Sequence, residues 1–144
     1  MDQKYDSLKL ENQLCFPLYA AAREVVKRYH PFLSEIGITY TQYVALMVLW
    51  EYGQVSVKTL GERLHLDSGT LTPMLKELEK KGILTRMRSK EDERVLLVTL
   101  TPEGEKLKEK AVEVPAKMAG CIKMEPEEAA TLYGLLYRLL DGMK

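Results

Sequence analysis

Cys15 is the first residue whose chemistry stands out, because it lies between Leu14 and Phe16 and just before Pro17. Proline is tolerated in the first turn of a helix, so a helix that starts near Cys15 places the thiol at its N-terminus. The helix dipole there favours the thiolate, which is the reactive form of cysteine. Tyr19, four residues later, shares that helical face and offers a hydroxyl. A cysteine between two large apolar residues is more commonly an inert core residue, and the segment by itself leaves both interpretations open.

A basic stripe is the second chemical feature, although the formal net charge of the chain is zero. The stretch from Lys80 to Lys90 holds five cations and no acid: Lys80, Lys81, Arg86, Arg88 and Lys90. A local basic stripe on a neutral body suits contact with phosphates along one edge. A solvated charge run without a partner is the alternative.

The remaining reactive residues predict neither catalysis nor metal binding. His30 and His65 lack metal-ligand spacing, and no phosphate loop or hydrolytic triad is present. We therefore expect no catalytic residue, metal or cofactor. Cys15 and Cys121 are 106 positions apart and do not form a disulfide framework, and the polar N-terminus lacks a signal-peptide pattern. The longest apolar run, Leu14 to Ala22, is too short to cross a bilayer, so a cytoplasmic location without membrane contact is expected.

The middle of the chain predicts a helix-turn-helix followed by a β-hairpin. Ser56 is a plausible N-cap for a short helix to about Leu64, and Asp67 caps a second helix that runs to Lys81 before Gly82 stops it. The apolar, β-branched runs 83–88 and 95–100 flank a polar loop, which is typical of a hairpin. Together these elements predict a winged helix-turn-helix in a mainly α chain with a small β-hairpin.

The N-terminal segments predict supporting helices. The first covers about Leu14 to Tyr29 and is ended or broken by Pro31. Thr39 and Gln42 resemble a capping box that opens a second helix through Tyr52. Helical spacing places four residues of that helix inward: Tyr43, Leu46, Met47 and Trp50.

The C-terminal segments predict a helix from Thr101 to about Met118 and a last helix from Pro126. The last helix has more apolar surface than one stripe facing a small domain needs, so we expect the terminal helices to be buried in a second subunit. The expected organisation is 1–54 for dimerisation and support, 55–100 for the winged helix-turn-helix and 101–144 for C-terminal dimerisation, all within one intertwined domain.

The second helix of the motif and the hairpin tip are the surfaces expected to meet duplex DNA. The outward helix face is small and polar near its N-terminus, which allows close approach to a groove; its residues are Ser68, Gly69, Thr70, Thr72, Pro73 and Lys76. A thin basic hairpin tip suits the minor groove; its residues are Arg86, Lys90, Asp92 and Arg94. Asp92 lies two positions from Arg94, so its carboxylate can hold the guanidinium in place, or the two can form an ordinary surface ion pair.

Three segments together resemble the MarR family of dimeric winged-helix regulators. They are Leu60 to Leu64, Leu71 to Gly82, and Asp92 to Gly104. The resemblance implies a helix around 68–76 that reads the major groove, Arg94 in the minor groove and a dimer built by the first and last helices. It also implies a homodimer on a pseudo-palindromic double-stranded operator, acting as a repressor.

The segment Leu10 to Ala21, around Cys15, is similar to the organic hydroperoxide-sensing, OhrR-type branch of that family, and staphylococcal SarZ-type regulators look similar here. The resemblance implies that organic hydroperoxide oxidises Cys15 to a sulfenic acid and that DNA is then released. Tyr29 and Tyr40 are implied to hydrogen-bond Cys15 of the other subunit, with Tyr19 as the local tyrosine. Cys121 stands where two-cysteine members carry a resolving thiol, and a partly buried spare cysteine is the alternative.

Two other functions compete with thiol sensing. One is a MarR-type repressor released by a small apolar or phenolic ligand, in which Cys15 is structural. The other is a thiol peroxidase, which would leave the wing and the recognition helix without a role.

Overall fold

The computed structural model describes residues 3–144, and within them seven α-helices and three short strands follow one another along the chain. Two short 3-10 turns, Gln3–Leu8 and Leu10–Asn12, precede the first helix. The elements are α1 Cys15–Ser34, α2 Tyr40–Tyr52, β1 Gln54–Ser56, α3 Val57–Leu64, α4 Ser68–Lys80, β2 Leu84–Arg88, β3 Leu96–Leu100, α5 Pro102–Ala111, α6 Val114–Ala119 and α7 Pro126–Gly142. The chain forms two compact units, one ending at Val114 and one covering Pro115–Lys144. None of the described helices provides an apolar stretch that could span a membrane.

The predicted helix-turn-helix is confirmed, and side-chain caps define its ends. The Ser56 hydroxyl accepts a hydrogen bond from the Thr59 backbone N–H at 3.0 Å, and the Asp67 carboxylate accepts one from Thr70 N–H at 2.8 Å. These caps satisfy N–H groups that a helix cannot satisfy by itself. Gly82, with φ of +79°, follows α4 as expected of a glycine stop. Leu71, Met74, Leu75 and Leu78 form the buried face of α4.

The sheet has one more strand than the predicted hairpin. β1, β3 and β2 lie side by side in that order, all antiparallel. β1 pairs Val55 with Val98, while β2 pairs Arg86 with the same Val98 from the other side. β1 has only three residues, too few to show an alternating pattern, and its partner lies more than forty positions away. The sequence therefore predicted the hairpin but missed the third strand.

Two proline positions correct the predicted helix ends. Pro31 does not end α1, which continues to Ser34. Only the last turn follows Pro31, and the Ser34 hydroxyl donates a hydrogen bond to the His30 carbonyl oxygen at 2.7 Å. The actual stop is Gly37, with φ of +75°, beyond which Ile38 N–H donates to the Leu33 carbonyl oxygen at 3.1 Å.

The helix predicted to reach Met118 is divided instead. α5 ends at Ala111 and α6 begins at Val114. Pro115 accounts for the break, because in a continuous helix its ring would clash with the Ala111 carbonyl and it has no N–H to donate there.

α2 has its predicted capping box, in which the Thr39 hydroxyl accepts from Gln42 N–H and the Gln42 amide oxygen accepts from Thr39 N–H. Its buried face differs from the predicted one at Met47, which is exposed. Ala45 and Val48, which were not on the predicted inward face, are buried because α2 contacts α1, α3, α4 and the sheet. The buried residues of α2 are Gln42, Tyr43, Ala45, Leu46, Val48 and Leu49.

Gly104 lets α5 approach the start of the wing closely. A Cβ atom there would clash with the Ile83 carbonyl oxygen and lie 2.8 Å from Leu100 Cδ2. The Gly104 carbonyl oxygen accepts a hydrogen bond from Trp50 Nε1 at 2.9 Å. α2, β3 and α5 therefore meet at a position where only glycine fits without backbone movement.

We expect Gly104→Ala to lower the free energy of unfolding by about 1–3 kcal/mol, because the added methyl overpacks a backbone contact. Urea unfolding followed by circular dichroism measures the loss. Gly142→Ala is the matched control, since a Cβ at that helical glycine meets open space, and it should change stability by less than about 0.5 kcal/mol. Equal effects of the two substitutions would contradict the close approach at Gly104.

Candidate nucleic-acid interface and thiol site

The outer face of α4 has the shape expected of a groove-reading surface. Ser68, Gly69, Thr70, Pro73 and Lys76 are exposed, and Thr72 is half-buried. No large apolar side chain stands among these residues, so the helix can approach a groove closely at its N-terminal end. The Asp67 cap leaves other N–H groups of the first turn available for a phosphate oxygen.

The loop between β2 and β3 is held in shape by its own hydrogen bonds. Ser89 N–H donates to the Val95 carbonyl oxygen at 2.8 Å and closes the loop. The Asp92 carboxylate accepts from Arg94 N–H at 3.0 Å, from Arg94 Nε at 3.1 Å and from Arg94 Nη2 at 3.3 Å. These bonds from Arg94 hold the pKa of Asp92 below its ordinary value.

Arg94 stays open to solvent despite that pairing, since 91% of its side chain is exposed. Lys90, on the same loop, is exposed as well. The loop therefore presents a fixed cation at the end of a thin hairpin, which is the form of side chain that enters a minor groove.

Arg86 is placed differently from the other basic residues of the wing. Its guanidinium donates from Nη2 at 3.0 Å and from Nε at 3.3 Å to Glu79 Oε1, and its backbone N–H donates to Glu79 Oε2 at 2.9 Å. Only 18% of the Arg86 side chain is exposed. The sequence grouped Arg86 with the DNA-facing residues, whereas in the structure its charge is paired with α4. Opposite charges on either side of the Gly82 turn were the available signal for this pair.

Cys15 is the first residue of α1, the position that the reactive-thiol interpretation required, and its side chain is exposed, unlike that of an inert core cysteine. The preceding residue, Leu14, has no side chain that could cap the helix. Tyr19 is exposed one turn later, and the Arg23 guanidinium lies over the Tyr19 ring, 5.3 Å from its centroid. A thiol, a phenol and a guanidinium thus follow one another along one side of α1, and Arg23 was not among the predicted site residues.

Tyr29 and Tyr40 lie together, but within one chain they are far from Cys15. Their ring centroids are 4.7 Å apart, and the Tyr43 ring lies 5.7 Å from that of Tyr29. Burial raises the pKa of Tyr29 and of Tyr40, and for Tyr40 the neighbouring Tyr29 adds to the effect. Tyr29 follows Cys15 by fourteen residues of a continuous helix, which is about 21 Å of helix length. The tyrosine pair of one chain therefore cannot contact the Cys15 of that chain.

Cys121 lies in the unit that covers Pro115–Lys144 and is exposed. Its Sγ atom is 3.7 Å from the Lys117 carbonyl oxygen, a weak intrahelical type of contact. The Cys121 side chain is therefore exposed, whereas the spare-cysteine alternative placed it partly buried.

α7 has no buried residue, although it is the most apolar of the terminal helices. The large apolar side chains that it exposes are Leu132, Tyr133, Leu135, Tyr137 and Leu139. The N-terminal segment also exposes apolar side chains, namely Leu8, Leu10, Leu14, Phe16 and Leu18. Apolar surface of this extent is typical of an interface with another protein chain.

Comparison with known proteins agrees with this geometry. The SarA/Rot family of transcriptional regulators matches residues 27–111. The organic hydroperoxide resistance transcriptional regulator of Bacillus subtilis is 53% identical over 143 residues, which cover 99% of this chain and 97% of that one. The chain belongs to the SarA/Rot family of transcriptional regulators. The SarZ regulator of Staphylococcus saprophyticus is 42% identical over 98% of this chain and 95% of its own, and the predicted resemblance to OhrR-type and SarZ-type regulators is confirmed.

Solved structures of AbfR from Staphylococcus epidermidis bound to DNA are similar over the whole length of this family member. The reduced form has a TM-score of 0.81 at 35% identity and covers 100% of both chains. The overoxidised form has a TM-score of 0.80 at 36% identity and covers 99% of this chain and 100% of that one. The predicted winged-helix fold is confirmed by these similarities.

Residues 3–144 contain no group of three or more His, Cys, Asp or Glu residues arranged to hold a metal ion.

The Glu79–Arg86 pair gives the regulator a stability that depends on pH. Hydrogen bonds from the Arg86 side chain, and then from its backbone, lower the pKa of Glu79 from its ordinary value of 4.5. The ionised carboxylate therefore stabilises the fold fully above about pH 4.5, and this contribution is lost as the pH falls through the lowered pKa of the folded state. We expect the difference in free energy of unfolding between wild type and Glu79→Gln to be largest near neutral pH and to shrink below about pH 4.5.

Urea unfolding at a series of pH values measures this difference. Glu77→Gln is the control, because the Glu77 carboxylate makes only an exposed pair with Lys81, at 3.8 Å, and its effect should be small throughout. A Glu79→Gln effect that stays constant down to acid pH would show that the carboxylate charge contributes nothing.

Proposed function

We propose that the chain is a homodimeric DNA-binding repressor that leaves its operator when organic hydroperoxide oxidises Cys15. The observation that carries this proposal is the pairing of two features in one chain: a complete winged helix-turn-helix, and an exposed thiol at the N-terminus of α1. The name of the Bacillus relative and the DNA complex of reduced AbfR support it. Because the proposed regulator acts on chromosomal DNA, we expect it in the cytoplasm.

DNA reading is assigned to α4 and to the wing. The major groove is approached by the α4 residues Ser68, Gly69, Thr70, Thr72, Pro73 and Lys76. Lys90 and Arg94 of the wing approach the minor groove, and Asp92 holds the Arg94 guanidinium. Two copies related by a two-fold axis read a pseudo-palindromic site whose half-sites are about 10 bp apart. The exposed apolar face of α7 and the apolar N-terminal segment supply the dimer contacts.

The sensing site is assembled from two copies. Because Tyr29 and Cys15 lie near opposite ends of α1, the tyrosine pair of one copy serves the thiol of the other. Burial raises the pKa of both tyrosines, so their hydroxyls remain protonated at neutral pH and can donate hydrogen bonds to a thiolate. Such bonds favour the anion that reacts with peroxide.

The oxidation step is a two-electron transfer from sulfur to peroxide. The Cys15 thiolate attacks one peroxide oxygen, a sulfur–oxygen bond forms as the oxygen–oxygen bond breaks, and the alkoxide leaves and takes up a proton to give the alcohol. The resulting sulfenic acid condenses with a second thiol, from Cys121 or a small external thiol, to give a disulfide and water. The bulkier product no longer fits the tyrosine site. The terminal helices then shift and move the two winged helix-turn-helix parts of the dimer apart. Each copy reacts once, as a sensor does, without enzymatic turnover.

We expect Arg94→Ala to weaken DNA binding by about 1–3 kcal/mol, because it removes the exposed groove-facing cation of the wing. Fluorescence anisotropy with a labelled duplex, enriched by the wild-type protein from a random-sequence library, measures the change. Lys106→Ala removes an exposed cation from α5, outside the reading elements, and should bind like wild type. An Arg94→Ala affinity equal to wild type would remove the wing from the DNA interface.

We expect stoichiometric cumene hydroperoxide to release the same duplex from wild type but not from Cys15→Ser, because serine cannot form a sulfenic acid. Cys121→Ser tests the resolving thiol: release that is slower without an added thiol, and restored by one, assigns that role to Cys121. Release from Cys15→Ser on oxidation would contradict thiol sensing and favour the ligand-gated repressor. Repeated turnover of peroxide with a thiol reductant would instead indicate a peroxidase.

A further inference from the structure

The Glu79 carboxylate is the direct link between the recognition helix and the wing. Both of its oxygens accept hydrogen bonds, one from the Arg86 backbone N–H at 2.9 Å and the other from the Arg86 guanidinium at 3.0 and 3.3 Å. A bidentate arrangement of this kind fixes orientation as well as distance. Glu79 therefore constrains both the position and the direction of β2 relative to α4.

β2 needs such a constraint because it is an edge strand. The sheet order β1-β3-β2 leaves one side of β2 without a neighbouring strand, and backbone N–H groups on an open edge have no ladder partner. The Arg86 N–H is satisfied by Glu79 instead. Only Lys81, Gly82 and Ile83 connect α4 to β2. The Thr101 hydroxyl holds the root of the wing at Gly82 and Ile83, and Glu79 holds the strand further along, at Arg86.

The angle matters because the two reading elements enter different grooves. A helix in the major groove and a hairpin tip in the minor groove must be held at the spacing that the duplex imposes. We propose that Glu79, by holding Arg86, is a positioning residue for DNA reading that sets the wing so that Arg94 and α4 engage their grooves together. This inference rests on the proposed DNA-binding function and adds to it a residue that itself need not touch DNA.

The charge of Glu79 makes the proposal sharply testable. A carboxylate beside a DNA-facing helix repels phosphate, so simple electrostatics predicts that its neutralisation strengthens binding. Glu77 borders the same shallow surface groove of α4 as Glu79 and Lys76, and its carboxylate lies 3.8 Å from the Lys81 ammonium in an exposed ion pair. Glu77→Gln therefore shows the electrostatic effect alone, whereas Glu79→Gln should change affinity in the opposite direction.

The experiment is a double-mutant cycle on the full chain with the library-enriched duplex. We expect Arg94→Ala to lose about 5- to 150-fold in affinity in the wild-type background, and to lose much less in the Glu79→Gln background, because an unpositioned wing already fails to place Arg94. Independent sites combine to within about twofold, so a larger departure shows coupling. Arg86→Lys keeps the charge and the backbone N–H bond to Glu79 Oε2 but removes the two guanidinium donors to Oε1, and it should fall between wild type and Glu79→Gln.

The outcomes separate this inference from the function on which it rests. If wild type enriches no duplex, or if Arg94→Ala binds like wild type, the proposed wing–DNA function fails. If Arg94→Ala loses affinity equally in both backgrounds, or if Glu79→Gln strengthens binding as Glu77→Gln does, the positioning role is overturned while the function stands. Loss of all binding by a folded Glu79→Gln chain also overturns it, because the carboxylate would then act on α4 itself.

Discussion

The DNA-reading part of the fold depends on the hydrogen bonds of the Thr101 hydroxyl. This hydroxyl lies within hydrogen-bond distance of the Gly82 and Ile83 carbonyl oxygens, at 2.6 and 3.0 Å, and accepts from Gly104 N–H at 3.1 Å. One side chain thus joins the turn after α4, the start of β2 and the first turn of α5. The Trp50 indole adds α2 through the Gly104 carbonyl. The wing has a rigid base because its two strands begin and end at this junction.

Local pairing, and not overall charge, organises the basic side chains above that base. The chain is neutral as a whole, yet Asp92 and Glu79 each hold one arginine by hydrogen bonds to both its backbone and its side chain. The two pairs have different results. Arg94 remains almost fully exposed and directed by its carboxylate, whereas Arg86 is largely covered. The same pair of residue types therefore serves presentation at the tip of the wing and attachment at its root.

The sequence predicted those parts of the structure that depend on near neighbours. The caps at Ser56, Asp67 and Thr39 each involve residues three positions apart, and side-chain chemistry alone identifies them. The pairing of β1 with β3 was beyond it, because these strands are more than forty positions apart. The bond between Glu79 and Arg86 depends on how the chain folds back at Gly82, and only the opposite charges on either side of that turn indicated it. Pro31 and Pro115 show the same limit. α1 continues for its last turn beyond Pro31, whereas the helix predicted through Pro115 is broken there, and the residue type alone does not distinguish the two cases.

The candidate site divides in the same way. Cys15 lies at the helix N-terminus that the local pattern around Pro17 indicated, and the exposure of Ser68, Thr70 and Lys76 followed from helical spacing. Arg23, beside Tyr19, was missed although it shares the helical repeat of the thiol. The distance between Cys15 and Tyr29 follows from the continuous helix between them. The wrongly predicted stop at Pro31 did not affect it, because both residues precede Pro31.

The length of α1 has a consequence for how such a regulator behaves at low abundance. A sensing site that takes its thiol from one copy and its tyrosines from another obeys mass action, so it exists only in proportion to the fraction of chains that are paired. In the proposed arrangement, a lone subunit would keep its exposed cysteine but lack the partner's tyrosine hydroxyls, and its reactivity would be that of an ordinary surface thiol. Responsiveness to oxidant and competence to bind a two-fold operator then rise and fall together with cellular concentration, and no separate control is needed to keep unpaired chains silent.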